Sequence, residues 1–223
     1  MNRTLWKSLV AEAVGTFALV FAGCGAIMVD AKTHALGHVG VAICFGLVIM
    51  VMISALGHVS GAHFNPAVTA GFAFGRHFPI TRVLPYWAAQ LIGGTIAALI
   101  LRASLGNVAG LGATTPSGSA IQAFVWEMVL TFFLMLVILA VATDTRAVGQ
   151  LAAVAIGGTV GLDAMFGGPI SGASMNPART LAPVIAGGPA TGLWAYLAGP
   201  LLGSAVAVAI YTFLRAEPAA KQA

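Results

Sequence analysis

Six long apolar stretches alternate with short polar ones along the chain, at roughly 8–29, 38–57, 83–103, 120–142, 151–167 and 192–214. Each is close to the about 20 residues a helix needs to cross the hydrocarbon core of a bilayer. Two further apolar pieces, 65–75 and 176–186, are too short to span, and both begin with Asn-Pro. The stretch 104–118 is uncharged and rich in Gly and Thr, and reads as a linker between two halves, 1–103 and 119–223. The pattern predicts an all-α membrane protein with six transmembrane helices and two re-entrant half-helices, forming one membrane domain.

The halves repeat. Gly57-His58-Val59-Ser60-Gly61-Ala62-His63-Phe64-Asn65-Pro66-Ala67-Val68-Thr69 aligns with Gly168-Pro169-Ile170-Ser171-Gly172-Ala173-Ser174-Met175-Asn176-Pro177-Ala178-Arg179-Thr180, with eight of thirteen positions identical. Upstream, Glu12, Thr16, Phe17 and Leu19 match Glu127, Thr131, Phe132 and Leu134. Three spans per half force the second half to insert upside down, giving an inverted 3+3 repeat with its site near the midplane.

Composition narrows the class. Of 223 residues, 59% are apolar and only 7% charged, against roughly a quarter charged in a soluble domain. This excludes a nucleic-acid-binding domain and an ordinary soluble enzyme. No Ser/His/Asp or Cys/His arrangement, phosphate-cradling glycine loop or metal-ligand spacing occurs, so no enzyme, cofactor or metal is expected. Cys24 and Cys44 read as buried thiols, a disulfide or metal site being the weaker alternative. Arg3 and Lys7 before an apolar run, with Phe21-Ala22-Gly23-Cys24 after it, faintly resemble a lipoprotein signal, but Glu12 interrupts the run. With both termini cytoplasmic, Arg3, Lys7, Arg76, Arg82, Arg146, Arg215 and Lys221 face inward and only Lys32, Arg102 and Arg179 outward, as the positive-inside rule asks. A multi-pass protein of a bacterial inner membrane is expected.

The two Asn-Pro pairs carry the chemistry. Proline suits the first turn of a helix and asparagine caps it. Each pair therefore opens a half-helix, and the two N-termini meet near the bilayer centre. The irregular backbone before them, Ser60–Phe64 and Ser171–Met175, is tolerated at that depth where protein buries it or where it lines a cavity. Its carbonyls supply acceptors along a wall. The Asn65 and Asn176 amides supply donors at the centre, and both helix dipoles point their positive ends there. A neutral hydroxylated molecule fits this pattern, and a cation is repelled. A water accepting from both amides turns its hydrogens outward, which reverses the hydrogen-bonded chain and interrupts proton hopping.

The paired Ser-Gly-Ala-X-X-Asn-Pro-Ala motifs, the paired Glu, and Arg179 three residues after Asn176 resemble the major intrinsic proteins, the aquaporins and glycerol facilitators. The wording, including Phe21-Ala22-Gly23-Cys24-Gly25, is similar to the nodulin-26-like branch. The resemblance runs from Ala11-Glu12 to Gly199-Pro200. It implies a homotetramer in the lipid bilayer, with one pore per subunit. It also implies an outer filter of four residues, which by register are Phe45, Ala164, Ala173 and Arg179. Water-selective members carry His at the place of Ala164. Nodulin-26-like channels usually carry Trp at the place of Phe45, so this chain keeps the small pair and departs there.

Two alanines leave room, Phe45 gives an apolar wall and Arg179 a fork of donors. Water, glycerol, urea and neutral metalloid acids such as arsenous or boric acid fit that ring. A mainly water-selective pore is the alternative. A proton-coupled transporter using Glu12 and Glu127 is the second, since ionisable groups within spans are functional by default. In a channel the two carboxylates brace the broken loops instead, with His63 as the partner of Glu12 or a cap for loop backbone. His58 is expected to line the cytoplasmic side of the pore, and Asp163 to face the outer vestibule.

Overall fold

The computed structural model describes residues 3–144 and 151–215, so Arg146 and Lys221, two of the charges that set the expected orientation, lie outside the described residues. The chain forms α1 (Arg3–Thr33), α2 (Gly37–Ser60), α3 (Pro66–Phe74), α4 (Val83–Leu105), α5 (Ala120–Thr143), α6 (Ala152–Ser171), α7 (Pro177–Ile185) and α8 (Leu193–Leu214). Among the described residues six of these are long and apolar enough to cross a membrane. The other two, α3 and α7, have nine residues each and start at the prolines of the Asn-Pro pairs.

Local chemistry sets the ends. Both α2 and α6 stop at a left-handed glycine, Gly61 (φ 87°) and Gly172 (φ 88°), whose N–H returns to the carbonyl four residues back. Only glycine takes that conformation without penalty, so the Gly of each Ser-Gly-Ala motif is a helix stop. Helix α6 runs past the expected end of its apolar stretch, through Pro169. A proline cannot donate to the carbonyl four residues earlier. That carbonyl, on Met165, instead accepts a hydrogen bond from His38 Nε2 at 2.7 Å.

Packing follows the repeat. Helix α1 lies on α4 and α2, α5 lies on α8 and α6, and α2 crosses α6 between the halves. The crossings are close because glycines face backbone. A side chain at Gly93 would collide with the Ala13 carbonyl, and one at Gly203 with the Met128 carbonyl. Without a hydrophobic drive inside lipid, such close approach supplies the van der Waals contact that holds helices together. The half-helices are exchanged between the halves. Helix α3 seats on α8, where Ser204 Oγ donates to the Ala67 carbonyl at 2.9 Å, and α7 seats on α4. The linker also packs inward. Its short 3-10 turn, Ala109–Gly112, rests on α1, with Leu111 fully buried beside Val20, Cys24 and Met28.

Candidate functional site

Between the halves runs a cavity of about 300 Å³, walled on one side by Leu19, Ile49, Ile53, Leu134, Ile138 and Val160, and on the other by the two loops that precede α3 and α7. Those loops are strained. Ala62 (φ 51°), Phe64 (φ 50°), Ala173 (φ 42°) and Met175 (φ 52°) are non-glycine residues in the left-handed region, at about 1–2 kcal/mol each.

Two carboxyl groups hold them. Glu12 Oε1 accepts from Ser60 Oγ (2.7 Å) and the His63 N–H (2.9 Å), and Oε2 from the Phe64 N–H (2.7 Å) and Gln90 Nε2 (2.8 Å). Glu127 Oε1 accepts from Ser171 Oγ (2.8 Å) and the Ser174 N–H (2.8 Å), and Oε2 from the Met175 N–H (2.6 Å). Hydrogen bonds to a charged group are worth about 1.5–3 kcal/mol each. Three per loop therefore outweigh two left-handed residues, and Gln90 of α4 adds a fourth bond to Glu12. Tyr86 and Tyr196 add an O–H bond each, to the Ser60 and Ser171 carbonyls at 2.9 and 2.6 Å.

The centre is cross-linked. Asn65 Oδ1 caps α3 by accepting from the Ala67 N–H, while its Nδ2 donates to the Met175 carbonyl of the other loop at 2.7 Å. Asn176 Oδ1 accepts from the Ala178 and Arg179 N–H groups, while its Nδ2 donates to the Phe64 carbonyl at 2.9 Å. An amide NH₂ has two donors, so each asparagine retains a second N–H, and both residues line the cavity.

Phe45, Ala164, Ala173 and Arg179 all line the same cavity, and all are buried. The Arg179 guanidinium lies 5.2 Å from the centroid of the Phe45 ring. Its Nη1 donates to the Gly112 carbonyl of the linker at 2.8 Å, and its Nε has no partner among the described residues. Thr114, also in the linker, bonds Thr180 of α7 at 2.9 Å.

One expectation is refined and two change. The His63 ring does not touch Glu12. Its backbone N–H does, while its Nδ1 pairs with Thr69 Oγ1 at 3.1 Å and the ring stacks on Phe72. Ring and backbone leave the α-carbon in opposite directions, so one residue serves both. His58 is exposed and is not among the lining residues, which at that end of α2 are Ile53, Gly57 and Gly61. These are spaced four apart and share one helical face, and His58 is rotated about 100° from it. Asp163 is also off the wall. Ala164 takes the lining position, and Asp163, about 100° round the helix, is buried with both oxygens unpartnered among the described residues.

Four contributors to the site escaped sequence reasoning: Tyr86, Tyr196, Gln90 and the Gly112 carbonyl. The tyrosines had a signal. Carrying the repeat into the third span of each half aligns Tyr86 with Tyr196 and Gly93 with Gly203. The same register puts Pro200 opposite Gln90, so Glu127 has no counterpart of that fourth donor. The Gly112 carbonyl had no signal, because any residue offers one.

A polar-centred cavity among six membrane-length helices is the arrangement of a membrane channel. Comparison with known proteins gives the family. The model of the major intrinsic protein family matches residues 1–211. Aquaporin NIP2-2 of Zea mays is 49% identical over 220 residues, 97% of this chain and 75% of that protein. Nodulin-26 of Glycine max is 47% identical over 211 residues, 94% and 78% of the two chains. Among solved structures, the aquaglyceroporin from Plasmodium falciparum superposes with a TM-score of 0.80 at 28% identity, covering 93% of this chain and 95% of its own. The chain belongs to the major intrinsic protein family.

Proposed function

We propose that this channel passes water and small uncharged hydroxylated solutes, with glycerol, urea and neutral metalloid acids as the class, and excludes ions and protons. The observation that carries the reading is the composition of one buried ring. Ala164 and Ala173 contribute only methyl groups to the wall that Phe45 and Arg179 share. An apolar face with a guanidinium beside it matches a solute with a carbon flank and a row of hydroxyls. Likeness to an aquaglyceroporin and to NIP-type aquaporins supports this breadth.

In this reading Asn65 and Asn176 orient the permeant through their second N–H groups, and the dipoles of α3 and α7 repel cations there. Glu12 and Glu127 keep the loop carbonyls in place, His63 steadies the start of α3, and no cofactor takes part. A proton relay through the two glutamates finds no support: both are fully buried behind the loops, with each carboxyl oxygen engaged. We place both termini in the cytoplasm on the balance of basic residues, in a bacterial inner membrane, and the assembly as a homotetramer.

The test is stopped-flow light scattering on proteoliposomes, with water and glycerol permeability read on one preparation. Rapid water flux with non-saturating glycerol entry supports the reading. Rapid water flux with no glycerol entry makes the pore water-selective. Saturable uptake driven by a pH gradient would revive the transporter.

A further inference from the structure

We propose that Gly23 of α1 is a specificity-determining residue of this channel, acting as the seat that holds the Phe45 ring out of the pore. The ring of Phe45 lies directly over Gly23. A Cβ at that position would fall 2.6 Å from Cδ1 and 2.5 Å from Cζ, and closer still to Cε1. No side chain fits there while the ring stays where it is. The ring packs into a notch in α1, and that notch exists because residue 23 has no side chain.

The helix carrying Phe45 cannot retreat to make space. The next residue, Gly46, already meets α6 backbone to backbone: a Cβ on it would lie 2.7 Å from the Gly157 carbonyl oxygen and 3.0 Å from Gly161 Cα. With α2 fixed from behind, a methyl group at position 23 displaces the ring alone. The open direction is the cavity, where the ring already forms part of the wall beneath Arg179. Adding a methyl outside the lining thus narrows the aperture inside it.

The same helix repeats the device one layer down. A Cβ on Gly15 would overlap the Phe64 ring, and the carbonyl of Phe64 is the one that Asn176 holds. Gly15, Leu19 and Gly23 are spaced four apart on one ridge. Leu19 lines the cavity, and the glycines above and below it each receive an aromatic ring.

The inference rests on the proposed passage of water and glycerol through this cavity, and the two fail separately. Glycerol entry through the parent tests that reading, and the change at position 23 tests this one. The experiment is a double-mutant cycle on the ratio of glycerol to water permeability, using the parent, Gly23→Ala, Phe45→Val and the double variant, with Gly25→Ala as control. Gly25 faces Leu101 of α4 instead of a pore residue. Gly23→Ala is expected to lower the ratio about tenfold, the low end of what one extra methylene costs in a tight pocket. The same change in the Phe45→Val background is expected to leave the ratio near that of Phe45→Val alone, and Gly25→Ala to leave the parent value. A ratio unchanged or raised in Gly23→Ala overturns the proposal. So does an equal drop in both backgrounds, because the methyl would then act without the ring. If Gly23→Ala fails to reach the membrane folded, restoration of its yield by Phe45→Val supports the seat, and failure to restore it overturns it.

Discussion

At the scale of the residue, the proposed function makes the ring of Phe45, Ala164, Ala173 and Arg179 the part that sets what can pass. Ala164→His would put an imidazole where a methyl group stands, and should lower glycerol permeability about tenfold or more with a smaller loss for water. Equal losses in paired light-scattering traces would mean that residue 164 is outside the ring. Arg179 is buried, and its charge is met on the protein side by the Gly112 carbonyl and the Phe45 face. Arg179→Val removes a fixed positive charge from the wall beside Phe45. Proton leak, followed with a pH dye inside vesicles, should rise while water flux persists. A variant as proton-tight as the parent would assign that barrier to the ends of α3 and α7 alone.

At the scale of the element, the donors that converge on Glu12 and Glu127 are the largest group of bonds holding the strained loops. In Glu127→Gln, an amide replaces a group that only accepts, and one of its ends turns an N–H toward a donor. The melting transition in detergent should drop, by an amount corresponding to about 1–3 kcal/mol for the donor left unmatched. Glu12→Gln should cost less, because Gln90 can rotate its own amide to present a carbonyl oxygen, whereas Pro200 on the other side offers nothing. Equal losses would show that the Gln90–Pro200 difference does not matter. Much at this scale was legible. The half-helices announced themselves through Asn-Pro, because capping is local chemistry written in adjacent residues. The loop-bracing glutamates stood out as charges in apolar runs. His63 meets Glu12 through its backbone N–H and not its ring, and His58 stands off the wall, for a common reason: which way a side chain leaves a loop or a helix end depends on tertiary packing, and the short motif around them has no periodicity to reveal it. The linker looked passive because its one contact to Arg179 is made by a backbone carbonyl.

At the scale of the whole molecule, the repeat governs the architecture. Apolar period, span count and internal alignment carried the six-helix frame, since each half had to answer the same bilayer. The exchange of half-helices, α3 onto α8 and α7 onto α4, was not visible, because small residues at a crossing say that something approaches and not what. The tight crossings give a test. Gly203→Val would drive a branched side chain into the Met128 carbonyl and should abolish folded protein in the membrane, read as loss of a monodisperse chromatographic peak. Gly158, which has open space around it, should accept alanine with melting unchanged to within about 0.5 kcal/mol.

The crossed asparagine bonds also bear on how the protein comes into being. Each half lends the donor that the other half's loop requires: Asn65 serves Met175, and Asn176 serves Phe64. When the ribosome has finished only the first half, the Phe64 carbonyl has no asparagine partner and the Asn65 amide has no carbonyl, deep in a medium that offers no water to either. A single half made alone could find the same bonds in just one way, by meeting an inverted copy of itself. The present chain has the geometry of such a meeting made permanent by a covalent link.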